Sequence, residues 1–342
     1  MPPTADFASR LEAKISNQLG AQRVGFLLGA GSSFLDGAGY PIASALWESI
    51  RYRIADSDIS GDIQKKLDDG ADGLEQALDL LDNGQVIETP HRHLVTDAIA
   101  ELFAQMTPPL EIHMEFVRRL SVRSGPPIKV FSLNYDPLIE RAAEQARVRL
   151  YDGFCGYEHA FFDPSVFSEQ IGRIRGAFKG KTFQVTAKPL LLLKLHGSLG
   201  WYRCDSSEFR RCAFSSAIAP PNERLMIPPQ QRKANDTTKD PYARLWSVFL
   251  GCLTQDSNPI NRLACIGYGF RDEHVNAAIE NALARPDFTL LIFTRDLTDT
   301  AWSRWNPRLN VVIVTQSRCS LKGEVGPGHA DLWSFEKVSK EV

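Results

Sequence analysis

The sequence predicts an α/β fold: a doubly wound, Rossmann-like and mostly parallel sheet with a small helical module inserted into it. Three observations carry that prediction. Short apolar runs such as VGFLL, LLLLKL and LACI are continuous rather than alternating, the pattern of strands buried on both faces. Segments of helical period follow several of these runs, as parallel sheets with helices on each side require. Between about residue 45 and residue 122 the alternation stops, and helical patterns follow one another with no strand between them.

Element by element, residues 5–19 space their apolar positions for an opening helix, and RVGFLLGAGSS (23–33) is a buried strand that breaks on glycines. ASALWESIRYRIAD (43–56), LEQALDLLD (74–82) and HRHLVTDAIAELFAQM (91–106) are helical. PIKVFSLNYD (127–136) is a second buried strand, and PLIERAAEQA (137–146) a helix whose Pro137 suits the first helical position. Residues 152–188, rich in Phe, Gly and Lys, are expected as a long loop excursion, and loops of that length usually serve function or move. The leucine run 190–195 is the third strand, and residues 238–256 form a helix. RLACIGYGF (262–270) is a fourth strand, followed by the helix DEHVNAAIENALA (272–284) and the strands FTLLIFT (288–294) and NVVIVT (310–315). The polar run QQRKANDTTKD (230–240) is expected as a solvated loop or a partner contact.

Composition narrows the classes. A chain of 342 residues with 43% apolar and 23% charged residues can bury a real core, as two domains or one large domain with an insertion. The net charge of −2 lacks the strongly basic balance of a nucleic-acid binder, so no direct nucleic-acid binding is expected. No apolar run reaches the roughly 18 residues that span a bilayer, and the start lacks the pattern of a secretory signal. The six cysteines (155, 204, 212, 252, 265 and 319) are scattered as reduced thiols would be, which points to the cytoplasm.

The first candidate site is GAGSS (29–33), between a strand and a helical pattern. Gly29 and Gly31 permit a sharp turn and the close approach of a pyrophosphate, and the N–H groups that follow favour anionic oxygen. Ser32 and Ser33 stand where the dinucleotide fingerprint has spacers, its third glycine is missing, and there is no Walker lysine, so phosphoryl transfer is disfavoured. A tight turn without any ligand explains the same residues.

Ligands of open parallel sheets sit beyond the carboxyl ends of the strands. Four strands here end in residues with chemistry: the glycine turn, Asn134 with Asp136, His196, and GYGFRD (267–272). His196 leaves an apolar strand and precedes Gly197, which predicts an exposed imidazole against a dry wall, able to act as a base near neutrality. A buried, hydrogen-bonded core histidine is the alternative. His91 and His93 are two apart and point to different sides of a helix, so they share no metal. His113, His159, His274 and His329 are isolated, and Asp272 reads most simply as a helix cap. Trp201, Trp246, Trp302 and Trp305 suit core or interface positions.

Taken in order, GAGSS…YP, SLNYD, KLHGS and IGYGFRDEHVN resemble the sirtuin family, and more specifically the sirtuin-like NAD-hydrolysing effectors of bacterial anti-phage defence, including the HerA-associated type. The resemblance implies a discontinuous NAD-binding domain over 1–45 and 123–330, a helical insertion over 46–122 and a C-terminal tail over 331–342. It further implies that Gly29, Ala30, Gly31, Ser32 and Ser33 line the NAD pyrophosphate. Asn134 would hold the nicotinamide-side ribose and order a water, Asp136 would contact the carboxamide, and His196 would act on a ribose hydroxyl or on water. Gly267 would approach the adenine-side phosphates, with Thr294 near the adenine ribose.

The departures from the family matter as much. Deacylating sirtuins carry two Cys-x-x-Cys pairs after the histidine, whereas this chain has only Cys204 and Cys212 there, so no zinc is expected. Pro41 runs into IASALW rather than Asp-Phe-Arg, and Leu133 stands where the family has Gln. The resemblance therefore implies an NAD glycohydrolase with water as the acceptor. A protein deacylase, an ADP-ribosyltransferase and a non-catalytic NAD or ADP-ribose sensor are the alternatives. Control by homo-oligomerisation, a HerA-type ATPase or an Argonaute-type sensor is implied as well.

Overall fold

In the computed structural model the apolar runs assemble into one nine-stranded sheet. Residues 6–71, 73–81, 90–176, 182–204, 208–214, 223–226, 240–255 and 259–342 are described. The spatial order is Glu324–Pro327, Arg318–Leu321, Val311–Val314, Thr289–Phe293, Arg262–Ile266, Val24–Leu28, Lys129–Ser132, Leu190–Lys194 and Leu150–Tyr151. All neighbours are parallel except the pairings made by Arg318–Leu321 and Glu324–Pro327, which are antiparallel. The doubly wound, mostly parallel architecture is therefore present.

Continuous apolar strands arise because each face of the sheet has its own core. Leu190 and Leu192 enter one, with Leu11, Phe26, Phe116 and Phe335. Leu191 and Leu193 enter the other, with Leu27, Phe131, Phe249 and Trp305. The strand Leu190–Lys194 is buried throughout, including its lysine. Lys194 is 1% exposed; its ammonium donates to the carbonyl of Asp136 and lies 3.1 Å from Glu140 Oε1. A buried cation needs such partners, and these two lie in the turn and helix that follow the neighbouring strand.

The helical stretch divides between cores. Leu46, Trp47, Ile50, Ile63, Leu74, Leu78, Ile99 and Phe103 form a third core that also takes in Leu138, Leu199 and Met226 from the main body. The last helix of the stretch, Glu111–Ser121, packs instead on the sheet through Phe116, Val117 and Leu120. The boundary expected at residue 122 thus moves: in packing terms the module ends near Leu110. Helix Asp58–Asp68 adds a further element there, and the 43–56 pattern resolves into helix Ala43–Ile50 and a 3-10 turn, Arg51–Arg53.

Three other expectations are corrected. Residues 152–188 are not a bare loop. Phe154–Cys155 and Ala160–Phe162 join Gly197–Arg203, Phe209–Arg211 and Glu223–Met226 in a five-stranded antiparallel sheet, and Ile171–Arg175 pairs with Thr182–Ala187 as a hairpin. These strands are too short, and their partners too distant in sequence, for periodicity to declare them. Residues 331–342 are not a tail, because helix Phe335–Glu341 buries Phe335 and Val338 against Phe116 and Leu120. Pro137 is the residue before helix Leu138–Gln145 rather than its first. The run 230–240 lies outside the described residues except for Asp240.

Candidate functional site

At the carboxyl ends of the parallel strands lies a cavity of about 560 Å³. It is lined by Gly29, Ala30, Gly31, Ser33, Asn134, Asp136, His196, Gly267 and Thr294, which are the site residues read from the sequence with Ser32 left out. Ser32 is fully buried directly behind the lining. Residues 29 to 294 meet there because their strands are neighbours and end on the same edge.

The glycine turn owes its glycines first to packing. A Cβ on Gly29 would fall 2.6 Å from Tyr268 Cα, and one on Gly31 would fall 2.7 Å from Gly267 Cα. Gly267 has φ +65°, and its Cβ would come 2.4 Å from the Ser32 nitrogen. The two turns therefore press backbone to backbone, with Gly29 N–H donating to the Ile266 carbonyl (3.0 Å) and Gly31 N–H to the Gly267 carbonyl (2.9 Å). The N–H groups of Ser32 and Ser33 turn inward as well, to the Gly29 and Ala30 carbonyls (2.9 and 3.0 Å). Most of the N–H groups expected to point at a phosphate are thus used within the loop or by the facing 266–267 turn. The helix that follows, Gly31–Phe34, is a single turn. Ala30 and Gly31 face the cavity exposed.

Asn134 is half-buried, and its Nδ2 lies 3.0 Å from the Gly29 carbonyl, 2.9 Å from Ser33 Oγ and 3.2 Å from Ser32 Oγ. Ser33 Oγ donates onward to Asp136 Oδ2 at 2.7 Å, and Asp136 Oδ1 accepts from the Leu138 N–H at 3.1 Å. The relay Asn134–Ser33–Asp136 ties the second strand end to the first. The amide nitrogen is committed, so Asn134 offers a ligand its carbonyl oxygen, a partner for a water or a ribose hydroxyl. Tyr40 lies over this corner, stacked on Phe103 with centroids 4.3 Å apart. Burial, with the Asp136 carboxylate nearby, pushes its hydroxyl well above the usual tyrosine range.

His196 is the main correction at the site. Its ring is 2% exposed, not open to solvent as the sequence suggested. The chain turns at once into the antiparallel strand Gly197–Arg203, using Gly197 at φ +78° where a Cβ would meet the Leu225 carbonyl at 2.3 Å. The expected dry wall is present: His274 lies 5.7 Å from His196, centroid to centroid, and Trp246 lies 4.7 Å from His274. The sequence read His274 as isolated and Trp246 as a core or interface position; their place beside His196 was missed because they sit on separate helices far from residue 196.

Asp272 precedes helix Glu273–Leu283 as its N-cap but makes no side-chain cap bond, and it lines the cavity instead. That turn is held by Tyr268, whose hydroxyl donates to Asn276 Oδ1 (3.1 Å), and by Asn276 Nδ2, which donates to the Phe270 carbonyl (3.0 Å). Tyr40, Leu46, Glu75 and Phe103 contribute one wall, and Trp333, Phe335 and Glu336 another. His113 joins the second wall to the glycine turn. Its ring lies tilted against Phe335, centroids 4.7 Å apart, and hydrogen-bonds the Ser32 backbone. Burial lowers its pKa to about 4, against the pull of that bond.

Among the described residues no group of three or more His, Cys, Asp or Glu side chains could hold a metal ion, and no helix is long and apolar enough to cross a membrane. Cys204 and Cys212 are free thiols, Cys212 buried with its Sγ 3.6 Å from the Gly200 carbonyl.

Comparison with known proteins gives one family match: the SIR2-like domain, over residues 128–305. Among solved structures, a crystal structure of a Sir2 homolog–NAD complex shares 13% identity over 96% of this chain and 94% of that one, with a TM-score of 0.48. An ADP-ribose complex of a Sir2 homologue point mutant shares 13% identity over 96% and 95%, with a TM-score of 0.49. No curated protein matches the sequence.

Proposed function

The chain belongs to the SIR2-like domain family, and from that premise we propose that its cavity binds NAD and cleaves it with water to nicotinamide and ADP-ribose. The observation that supports this reading is the meeting of Asn134, His196 and the glycine turn in one cavity. In the proposed reaction the bond between ribose C1′ and the pyridinium nitrogen breaks. Its electron pair goes to the ring, which leaves as neutral nicotinamide. Water oxygen bonds to C1′, and the water proton passes to His196. The Asn134 carbonyl, its amide nitrogen held by Gly29, Ser32 and Ser33, accepts a hydrogen bond from that water or from a ribose hydroxyl. The transition state is a sugar cation, so geometry and fixed dipoles supply much of the acceleration. His196, backed by His274 and Trp246, supplies the base. Ala30, Gly31 and Gly267 take the pyrophosphate, and Thr294 the adenine-side ribose.

The test is nicotinamide release from NAD by the purified protein. His196→Ala and Asn134→Ala are each expected to lower it by about 100-fold or more, the range for loss of a general base or a positioning group. Free ADP-ribose as the product supports hydrolysis. O-acyl-ADP-ribose or modified protein would move the reading to a deacylase or transferase, and tight binding without release would move it to a sensor. The proposal extends to an NAD-depleting role in the bacterial cytoplasm during phage attack, controlled by homo-oligomerisation or by a HerA-type or Argonaute-type partner. Sedimentation and nicotinamide release with and without the genomic neighbour test that extension.

A further inference from the structure

The five strand ends at the cavity follow a spatial order: His196, Asn134, the glycine turn, Gly267, and then Thr294, Arg295 and Asp296. The first and last are four strand spacings apart, about 19 Å at the usual separation of neighbouring strands. Only an extended ligand covers that span. With nicotinamide at Asn134 and His196, a dinucleotide lays its pyrophosphate over the glycines and its adenosine at residues 294–296.

That last corner carries two groups of opposite charge. In dinucleotide-binding folds an acidic side chain beside the adenine ribose hydrogen-bonds its 2′-hydroxyl, whereas an arginine nearby accommodates a 2′-phosphate. Here Asp296 is already engaged, because its Oδ1 accepts from Ser317 Oγ at 2.9 Å. The carboxylates of the adjoining wall are matched too, Asp331 with Lys337 (3.6 Å) and Glu336 with Lys340 (3.2 Å). Arg295 is exposed at the cavity, and among the described residues its guanidinium has no hydrogen bond or ion pair. Its backbone is anchored, the carbonyl accepting from the Gln316 N–H at 2.9 Å. A fixed backbone bearing an unengaged, permanently charged fork suits bidentate binding of a phosphate.

We infer that Arg295 admits a dinucleotide phosphorylated on the adenine-side ribose, so that the site takes NADP as well as NAD. The inference rests on the NAD reading above. Hydrolysis is unchanged by the extra phosphate: the same C1′–nitrogen bond breaks, and the products are nicotinamide and 2′-phospho-ADP-ribose.

The experiment compares NAD and NADP, by nicotinamide release and by calorimetric titration, for the wild type, Arg295→Gln and Arg295→Lys. The wild type is expected to use both within about tenfold, and Arg295→Gln to lower the NADP-to-NAD ratio of kcat/KM and of affinity by about tenfold or more, the size of one lost charge-assisted contact. Arg295→Lys keeps the charge without the fork and is expected to fall between the two. An unchanged ratio in Arg295→Gln, or a wild type that excludes NADP while using NAD, overturns this inference and leaves the NAD reading standing. Failure to bind either dinucleotide overturns both.

Discussion

The floor of the cavity is made by turns at 29–33, 134–136, 196–197 and 267–272, while its walls come from the helical module and the C-terminal helix. On the floor, backbone lies on backbone, and the side chains are small or polar: Gly29, Gly31, Gly267, Ser33, Asn134 and Asp136. In the walls the contacts are between large rings and aliphatic chains, such as Tyr40 on Phe103 and Phe335 on Phe116. At Gly29, Gly31 and Gly267 the floor tolerates no added atom, whereas the walls can change identity provided they stay apolar and fill the space. The contrast teaches why a change at the floor glycines costs more than one in the walls.

Substitution at Gly267 is the hardest test of that rigidity. Gly267→Ala is expected to destabilise by about 4 kcal/mol, combining a left-handed backbone with overlap on the Ser32 nitrogen. Urea unfolding measures it, and a loss below about 1 kcal/mol would mean that the two turns are not locked together. Phe103→Ala in the wall is expected to cost about 3 kcal/mol, the usual range for an emptied aromatic core site. Hydrogen exchange should place that loss mainly in the module core around Trp47, Leu78 and Ile99, with protection retained in the sheet strands. Uniform loss of protection would make wall and floor one cooperative unit.

His113 joins the two regions and gives the comparison a pH axis. Its folded pKa of about 4 lies below the ordinary 6.5, so the unfolded chain takes up the proton first. Its stabilising contribution is complete above about pH 6.5 and is lost as the pH falls toward 4, by about 3 kcal/mol in all. His113→Phe should remove that part of the slope in urea titrations run across this window. A slope unaltered by the substitution would assign the acid sensitivity elsewhere. The smallest effect is expected from Ser33→Ala. It breaks the relay between Asn134 and Asp136, at a cost of about 1–2 kcal/mol for a buried polar group left unpaired. Nicotinamide release should fall more than stability does, because Asn134 loses its lateral support. A variant with full activity would show that the Gly29 carbonyl alone holds the amide.

The floor was legible in the sequence because each of its parts is a short contiguous turn at the end of an apolar strand. GAGSS, SLNYD, KLHGS and IGYGF announce themselves locally, and the open-sheet rule then brings them to one edge. The burial of His196 was not legible, since it depends on Gly197 turning the chain into the antiparallel sheet and on His274 and Trp246 arriving from later helices. Nor was the packing role of Gly29 and Gly31, because the opposing surface is contributed by residues 267 and 268.

Apolar periodicity and glycine spacing act within a few residues, and they determined the parallel strands, their helices and the turns that end them. Which rings close the cavity, which N–H groups remain for a ligand, and which charge near residue 295 is left unengaged were decided by contacts between separate segments of the chain. Burial and hydrogen-bond partnership belong to pairs of surfaces, and no single segment carries the information about the surface it will meet.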